Sequence, residues 1–204
     1  LRAEEPRRAM VAIETLETGE YIVPRLNGES YYNKPPLYNW VLAGFFRLTG
    51  STAEWAVRLP GILSIILMAL FAWRFSLPFL GREPSFLVFL FTLTSADLYF
   101  YGSVNSGEID LFYSLLVFLQ IMSIFLYFRK ERYTLMFIVS YLLTTAGFLT
   151  KGLPSLAFQV LTLLTLLAVY RKSRLLFNWR HLLGLLLFLI LSAGYFLIYD
   201  SRDD

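Results

Sequence analysis

Long apolar runs follow one another after residue 58 and restrict the fold more than any other feature of the chain. Each run is close to the ~20 residues that an α-helix needs to cross the hydrocarbon core of a bilayer. Helices are the only spanning form that fits, because an open strand leaves backbone polar groups unpaired in lipid. We therefore predict about six transmembrane helices, at residues 59–80, 85–103, 109–128, 133–150, 153–170 and 181–199.

The composition narrows the classes of protein and site further. Hydrophobic residues make up 57% of the chain and charged residues 16%, which is typical of a membrane protein. The lack of cysteine excludes disulfides and thiolate metal sites, and the single His181 excludes a multi-histidine metal cage. The net charge of +3 does not indicate a nucleic-acid partner, because the basic residues lie in short loops and not in one patch.

The loops between the apolar runs predict an orientation in the membrane. Basic residues collect in alternate loops, at Arg74 and Arg82, at Arg129, Lys130 and Arg132, and at Arg171, Lys172, Arg174 and Arg180. The positive-inside rule places these loops in the cytoplasm. Residues 1–58, the connection 102–110, residues 150–153 and the C-terminus are then expected to face outward.

The polar segment before the first span carries its own start and stop signals. Pro6 follows two acids and is typical of the first turn of a helix, and Gly19 is typical of a helix end. Asn27-Gly28 predicts a tight turn. We therefore divide the chain into an outer loop with juxtamembrane helices, residues 1–58, and a transmembrane helix bundle, residues 59–204.

A lysine stands directly before two prolines in this outer segment. Pro35 disfavours the helical region for Lys34, and both prolines lack an N–H group, so Lys34 is expected on an extended backbone before a helix. The apolar run that follows, residues 37–48, is too short to span and predicts an interfacial or re-entrant helix. Lys34 is thus a candidate cation at the mouth of a membrane-embedded site.

Ionisable residues collect in four places on the predicted outer face. These are Glu4-Glu5-Pro6-Arg7-Arg8, Lys34, Glu108-Ile109-Asp110 and Lys151. Ionisable residues at a membrane boundary are costly and are often functional. A carboxylate can act as general base on an acceptor hydroxyl, and lysines can stabilise the phosphate of a leaving group. This combination is compatible with group transfer from a lipid-phosphate donor.

Each of these clusters also has a structural interpretation. Glu108 and Asp110 precede or open a helix, where acids are stabilised by the helix dipole, so a cap and a site both remain open. Lys151 can be a snorkelling lysine at a helix end instead of a phosphate ligand. Asp97 lies inside the second predicted span, and we favour a structural hydrogen-bond acceptor there. The remaining acids of the outer loop are expected to be solvated: Glu14, Glu17, Glu20 and Glu29.

Several short motifs occur together in a specific order. Glu4-Glu5-Pro6-Arg7, residues 19–28, Tyr32-Asn33-Lys34-Pro35-Pro36-Leu37 and Ala56-Val57-Arg58-Leu59-Pro60 resemble the first outer loop of one superfamily. Its members are the aminoarabinose transferases and the dolichyl-phosphate-mannose-type protein mannosyltransferases. Phe148-Leu149-Thr150-Lys151-Gly152 resembles a later motif of the same enzymes. The likeness runs over nearly the whole chain but covers only the amino-terminal half or so of such an enzyme, so we expect a fragment.

The resemblance implies an all-α GT-C fold and a multi-pass enzyme of the cell inner (plasma) membrane. Its activity would be transfer of a sugar from a polyprenyl-phosphate donor to a lipid or protein acceptor on the periplasmic side. The family's acidic pair falls on Glu4 and Glu5, and because its first member is usually aspartate, either glutamate can be the catalytic base. Donor phosphate binding falls on Lys34 and Lys151, and Arg7 is a further candidate for it. Substrate orientation falls on Glu108 and Asp110, which the sequence does not separate.

The resemblance leaves the cofactor and two rival functions open. Some relatives use a divalent cation at this face, but the sequence shows no complete ligand set. A transporter or lipid flippase would need polar or broken helices near the bilayer midplane, whereas most charged groups here collect at one face. Asp97 and Gly147 keep that alternative open. An assembly subunit that docks through the first loop is the third reading.

Overall fold

The chain is almost entirely helical, which confirms the all-α membrane class. The structure, a computed structural model, describes residues 4–95, 107 and 109–203. The helices are α1 (Glu5–Thr18), α2 (Leu37–Thr49), α3 (Glu54–Leu80), α4 (Arg82–Leu93), α5 (Ile109–Arg129), α6 (Tyr133–Lys151), α7 (Pro154–Val169) and α8 (Trp179–Asp203). A 3-10 helix, Ser173–Phe177, lies between α7 and α8, and strands β1 (Arg25–Leu26) and β2 (Glu29–Ser30) lie between α1 and α2.

Four of the described helices are long and apolar enough to cross a membrane, namely α3, α5, α6 and α8. The fifth predicted span coincides with α7, which is apolar but has only 16 residues. The second predicted span, 85–103, begins within α4, and its later part with Asp97 lies outside the described residues. The predicted total of six therefore stays a prediction, as do the membrane orientation and the division at residue 58.

The local signals of the outer segment are reproduced by the structure. Helix α1 has Pro6 in its first turn and ends at Gly19, whose φ of 72° suits glycine. Asn27 and Gly28 have φ angles of 56° and 81° and connect the antiparallel strands. The hairpin is fixed to α1 because the Gly28 N–H donates to Glu14 Oε1 at 2.7 Å.

Two expectations for this segment need correction. The backbone bends at Asn33 and Lys34 instead of running straight, whereas α2 begins at Leu37 as predicted. The bend accompanies the packing of the Tyr32 ring against the Tyr199 ring, with centroids 6.3 Å apart. Glu14 and Glu20 are more than solvated acids, because their carboxylates accept backbone N–H groups of Gly28, Ile22 and Val23.

The chain forms two compact units, which are described separately. The first comprises residues 1–31 and 36–115, and the second comprises residues 32–35 and 116–204. The core of the first unit joins α1, α2, α3 and the start of α5 through Ala9, Ala12, Tyr38, Leu42, Ala43, Phe46, Ala56, Val57 and Ile109. The alanines on three helices allow the helix backbones to approach closely, as small residues do in membrane proteins.

The second unit is held together by an apolar cluster and by hydrogen bonds between helices. Gln120 Nε2 of α5 donates to Gln159 Oε1 of α7 at 2.9 Å, and Gln159 Nε2 donates to Ser140 Oγ of α6 at 2.9 Å. Such bonds between membrane helices are worth about 0.6–2 kcal/mol each. The bonds fix the rotation of all three helices, because both glutamines are buried.

Helices α6 and α8 of the second unit run parallel. The Phe137 ring lies 4.9 Å from the His181 ring, and further along both helices the Phe148 ring lies 6.1 Å from the Phe196 ring. Gly184 makes the close approach possible, since a Cβ there would come within 2.5 Å of Tyr141 Cδ2. The carboxyl end of α6, with Lys151, therefore lies at the carboxyl end of α8.

Candidate functional site

The second acid of the Glu4-Glu5 pair is fully buried at the start of α1. The Glu5 carboxylate accepts two hydrogen bonds from Arg58, from Nε at 2.8 Å and from Nη2 at 3.2 Å. It also accepts the Gly107 N–H at 2.9 Å, while Arg58 pairs in addition with Glu54. A buried carboxylate is tolerated only with such compensation. The oxygens of Glu5 thus serve to connect α1, α3 and the segment before α5.

The Gly107 peptide is the point at which these elements meet. The Tyr38 hydroxyl of α2 donates to the Gly107 carbonyl oxygen at 3.2 Å, and its ring packs against Phe112 of α5. A Cβ at position 107 would come within 2.5 Å of Val57 Cγ1 and 3.1 Å of Glu5 Cγ. Only glycine fits this approach. The structure therefore brings Glu5, one member of the predicted acid pair, into contact with Gly107.

Replacing Gly107 with alanine is expected to destabilise the protein by about 1–3 kcal/mol, the usual cost of overpacking. The new methyl group would displace Val57 or the Glu5 carboxylate. Thermal unfolding of the detergent-solubilised full-length protein measures the effect. Gly44→Ala in α2 is the matched control, because nothing lies within 4 Å of its Cβ position and alanine favours a helix. Equal unfolding temperatures for both variants would contradict the close approach.

The first acid of the pair has different surroundings. Glu4 is exposed, and its two carboxylate oxygens lie 2.8 and 3.1 Å from Nη1 of Arg7. An exposed ion pair of this kind contributes little, so the Glu4 carboxylate remains accessible to a ligand. Glu4 precedes α1 and makes no capping hydrogen bond through its side chain. The two neighbouring acids thus differ in what they can do.

Arg8 is a buried cation on the same helix. Its side chain is 3% exposed, and its guanidinium carbon lies 6.0 Å from the centre of the Tyr31 ring. Within the described part of the chain, Arg8 Nη1 and the Tyr31 hydroxyl have no hydrogen-bond partner. A buried polar group without a partner is costly. Both atoms are therefore suited to an anionic oxygen supplied from elsewhere.

Asp110 is the second residue of α5 and is half-buried. Its position in the first helical turn agrees with stabilisation by the helix dipole and does not exclude a role in a site. Glu108, the other candidate for substrate orientation, lies outside the described residues, as does Asp97.

Lys34 and Lys151 both belong to the second unit and lie at the same end of it. Ring contacts connect their neighbourhoods: Phe148 packs against Phe196, and Tyr195 and Tyr199 continue to Tyr32. Tyr32 stands two residues before Lys34, and Phe148 three residues before Lys151. Lys151 ends α6, where a cation is favoured by the helix dipole, so its structural reading also remains.

A divalent cation has no visible ligand set in the described part of the chain. Groups of three or more histidine, aspartate or glutamate side chains that could hold a metal ion do not occur among residues 4–95, 107 and 109–203. The possible divalent cation therefore stays a prediction.

The sequence alone assigns no individual role to four residues that contribute to the site: Arg58, Gly107, Tyr38 and Arg8. Arg58 belongs to a motif that the sequence shares with a known superfamily, yet its partner is Glu5, 53 positions away. The usable signal was an arginine at the start of an apolar run, since such a charge needs a buried partner. Tyr38 and Gly107 carry no comparable signal in a single sequence.

Residues 33–198 match the family described as dolichyl-phosphate-mannose-protein mannosyltransferase. An undecaprenyl phosphate-alpha-4-amino-4-deoxy-L-arabinose arabinosyl transferase of Yersinia enterocolitica is 30% identical, over 84% of this chain and 31% of that protein. A protein of the same name from Pectobacterium carotovorum is 28% identical, over 98% of this chain and 36% of that protein.

Two crystal structures of ArnT from Cupriavidus metallidurans share the fold. The apo structure gives a TM-score of 0.81 and the structure bound to undecaprenyl phosphate gives 0.80, both at 22% identity. Each comparison covers 100% of this chain and 38% of the other. The chain thus spans about a third of the length of the proteins to which it is similar.

Proposed function

Because the chain belongs to the dolichyl-phosphate-mannose-protein mannosyltransferase family, we propose that it forms part of a membrane glycosyltransferase. The enzyme would transfer a sugar from a polyprenyl-phosphate donor to a lipid or protein acceptor at the periplasmic face of the inner membrane. The sugar is a hexose or a pentose, and the names of the arabinosyl transferase relatives favour a pentose on undecaprenyl phosphate. The proposal is carried by one observation, the accessible Glu4 beside a Glu5 that is held by Arg58 and Gly107.

Glu4 is the proposed general base, and Glu5 the residue that positions it. A general base must reach the acceptor hydroxyl within hydrogen-bond distance, which an exposed carboxylate can do. The Glu5 carboxylate is buried and already accepts three hydrogen bonds. Its contacts hold the first turn of α1 in place, and Glu4 is attached directly to that turn. This assigns different roles to two acids that the sequence alone leaves equivalent.

Lys34 and Lys151 are the proposed ligands of the donor phosphate. An ammonium group is a compact positive charge suited to phosphate oxygens, and both lysines belong to one end of the second unit. Arg7 and the unpartnered Nη1 of Arg8 are further cations near Glu4 in the sequence and on α1. Asp110, with Glu108, is proposed to orient the substrate. Membrane lipids surround the spanning helices.

The proposed reaction balances without a cofactor. The acceptor hydroxyl gives its proton to Glu4, and its oxygen forms a bond to the anomeric carbon of the sugar. The bond between that carbon and the phosphate oxygen breaks, and polyprenyl phosphate leaves with the electron pair. Lys34 and Lys151 stabilise the charge that develops on the leaving phosphate.

The decisive experiment follows the donor. Purified full-length protein is reconstituted into liposomes with a labelled polyprenyl-phosphate sugar and an extract of envelope lipids and proteins. We expect release of polyprenyl phosphate and transfer of the label to an acceptor. A transporter or lipid flippase would move the donor across the bilayer with its sugar intact, and an assembly subunit would do neither. Either outcome would overturn the proposal.

Replacing Lys34 with glutamine is expected to weaken donor binding about 10–100-fold, the effect of losing a charged hydrogen bond worth about 1.5–3 kcal/mol. The dissociation constant of a fluorescent polyprenyl phosphate measures this. Lys130→Gln, which removes an exposed lysine next to the carboxyl end of α5, is the control and should leave binding unchanged. Similar binding by both variants would remove Lys34 from the proposed site.

A further inference from the structure

A cavity of about 580 Å³ that is widely open to the surface lies in the second unit, at the end remote from Lys151. Its lining comes from the start of α6 and the connection after α7, namely Tyr133, Arg171, Lys172, Ser173, Arg174 and Leu175. Helix α6 has 19 residues, so its two ends lie about 28 Å apart at 1.5 Å per residue. The cavity is therefore separate from the lysines proposed to bind the donor.

The contacts of Lys172 show how the cavity wall is built. Its Nζ donates to the Tyr133 hydroxyl at 2.5 Å and to Glu131 Oε1 at 3.2 Å. It also lies 5.4 Å from the centre of the Phe128 ring, whose neighbour is the Tyr170 ring at 4.9 Å. These bonds, first to Tyr133 and then to Glu131, raise the pKa of Lys172 above its usual value. The loops after α5 and α7 are thus joined through Lys172.

The positive charge around the cavity is largely uncompensated. The two loops, residues 130–132 and 170–178, hold five basic residues and a single acid, Glu131, which already pairs with Lys172. Arg171 and Arg174 are exposed and make no ion pair with the described acids. The backbone of Arg171 has a φ of 53°. This conformation favours glycine and is strained for a residue with a side chain. An anion is the ligand that this cavity fits.

Exposed aromatic rings lie close in the sequence to the residues that line the cavity. Phe177 is 93% exposed, Trp179 63% and Tyr170 50%, and all three flank the same connection. Aromatic residues of this kind lie at the level of the lipid headgroups in membrane proteins. A soluble anion would not require such a border, and basic pockets between membrane helices bind acidic headgroups.

We propose that this cavity binds the headgroup phosphate of an anionic phospholipid from the adjacent leaflet. Arg171 and Arg174 pair with the phosphate oxygens, and the Ser173 hydroxyl donates a hydrogen bond. Lys172 is held by Tyr133 and adds its charge to the wall. An orientation signal alone explains the number of basic residues in these loops, but it does not explain why Lys172 joins the two loops through Glu131 and Tyr133 beside an open cavity. The proposal does not depend on the glycosyltransferase function.

The test compares a cavity variant with a matched variant elsewhere. Three full-length proteins are compared: the wild type, the cavity variant Arg171→Gln/Arg174→Gln and the control variant Arg74→Gln/Arg82→Gln. Each of the two variants loses two positive charges. Each protein is titrated with short-chain phosphatidylglycerol or phosphatidylcholine, and bound lipids are counted by native mass spectrometry. We expect the cavity variant to bind phosphatidylglycerol about tenfold more weakly, as expected when charged hydrogen bonds to phosphate are lost. The Arg74/Arg82 variant should match the wild type, and phosphatidylcholine should not distinguish the three proteins.

Two further measurements keep the result clear. If the double variant unfolds at a lower temperature than the wild type in phosphatidylcholine, the single variant Arg174→Gln replaces it in the binding test. This variant changes only one exposed residue of the 3-10 helix. Inorganic phosphate at millimolar concentration should not displace the bound phosphatidylglycerol. Unchanged phosphatidylglycerol binding in both cavity variants would overturn the proposal. Equal losses in the Arg74/Arg82 variant, or displacement by free phosphate, would do so as well.

Discussion

Replacing Glu4 with glutamine is expected to reduce sugar transfer about 10²–10⁴-fold, the usual contribution of a general base. Glutamine keeps the size of the side chain but cannot accept the proton of the acceptor hydroxyl. Little else should change, because Glu4 is exposed and its pairing with Arg7 is an exposed ion pair of small energetic effect. The turnover number at saturating donor and acceptor should fall, while membrane insertion and unfolding temperature stay at wild-type values.

The control for this experiment lies on the same helix. Glu17 is an exposed acid near the end of α1, and Glu17→Gln removes the same charge without reaching the first turn. Its transfer rate should equal that of the wild type. Wild-type turnover in Glu4→Gln would transfer the role of base to another acid, and the first to examine would be Asp110. A loss of activity together with a lower unfolding temperature would instead give Glu4 a structural role.

Local structure in the outer segment follows from short-range signals. The end of α1 at Gly19 and the turn at Asn27-Gly28 depend on backbone conformations that glycine and asparagine adopt easily. The all-α membrane class of the chain can also be predicted from its apolar runs, because few structures other than helices can satisfy backbone hydrogen bonds in lipid. The bend at Lys34 does not follow from such signals, and near it the Tyr32 ring packs against Tyr199, which is far away in the sequence.

The candidate site likewise has features that the sequence predicts and features that it does not. The types of residue could be predicted, because acids and lysines at a membrane boundary are costly and need a reason to be there. The difference between Glu4 and Glu5 could not, since it arises from contacts with Arg58 and Gly107, which are far away in the sequence. Two adjacent carboxylates have the same chemistry until folding buries one of them. Their separation into a base and a positioning residue is a tertiary effect.

The ion pair between Glu5 and Arg58 should dominate the stability of the first unit. Removing one member of a fully buried pair costs about 3–5 kcal/mol, and we expect a smaller loss here because the Arg58 side chain is 25% exposed. Arg58→Ala would leave the fully buried Glu5 with only the Gly107 N–H among these donors. Glu5→Ala would free the guanidinium group of Arg58, which can still pair with Glu54. We therefore expect Arg58→Ala to be the more destabilising single variant in thermal unfolding of the full-length protein.

The double variant Glu5→Leu/Arg58→Met tests whether the pair acts as a unit. Apolar side chains of similar size often replace a buried ion pair without loss, so the double variant should be more stable than Arg58→Ala. Arg7→Ala, which breaks only the exposed pair with Glu4, should cost about 1 kcal/mol or less. Additive losses in the double variant would show that Glu5 and Arg58 act independently. Transfer by Glu5→Leu/Arg58→Met should remain well above that of Glu4→Gln, because the double variant alters the support of the base and keeps the base itself.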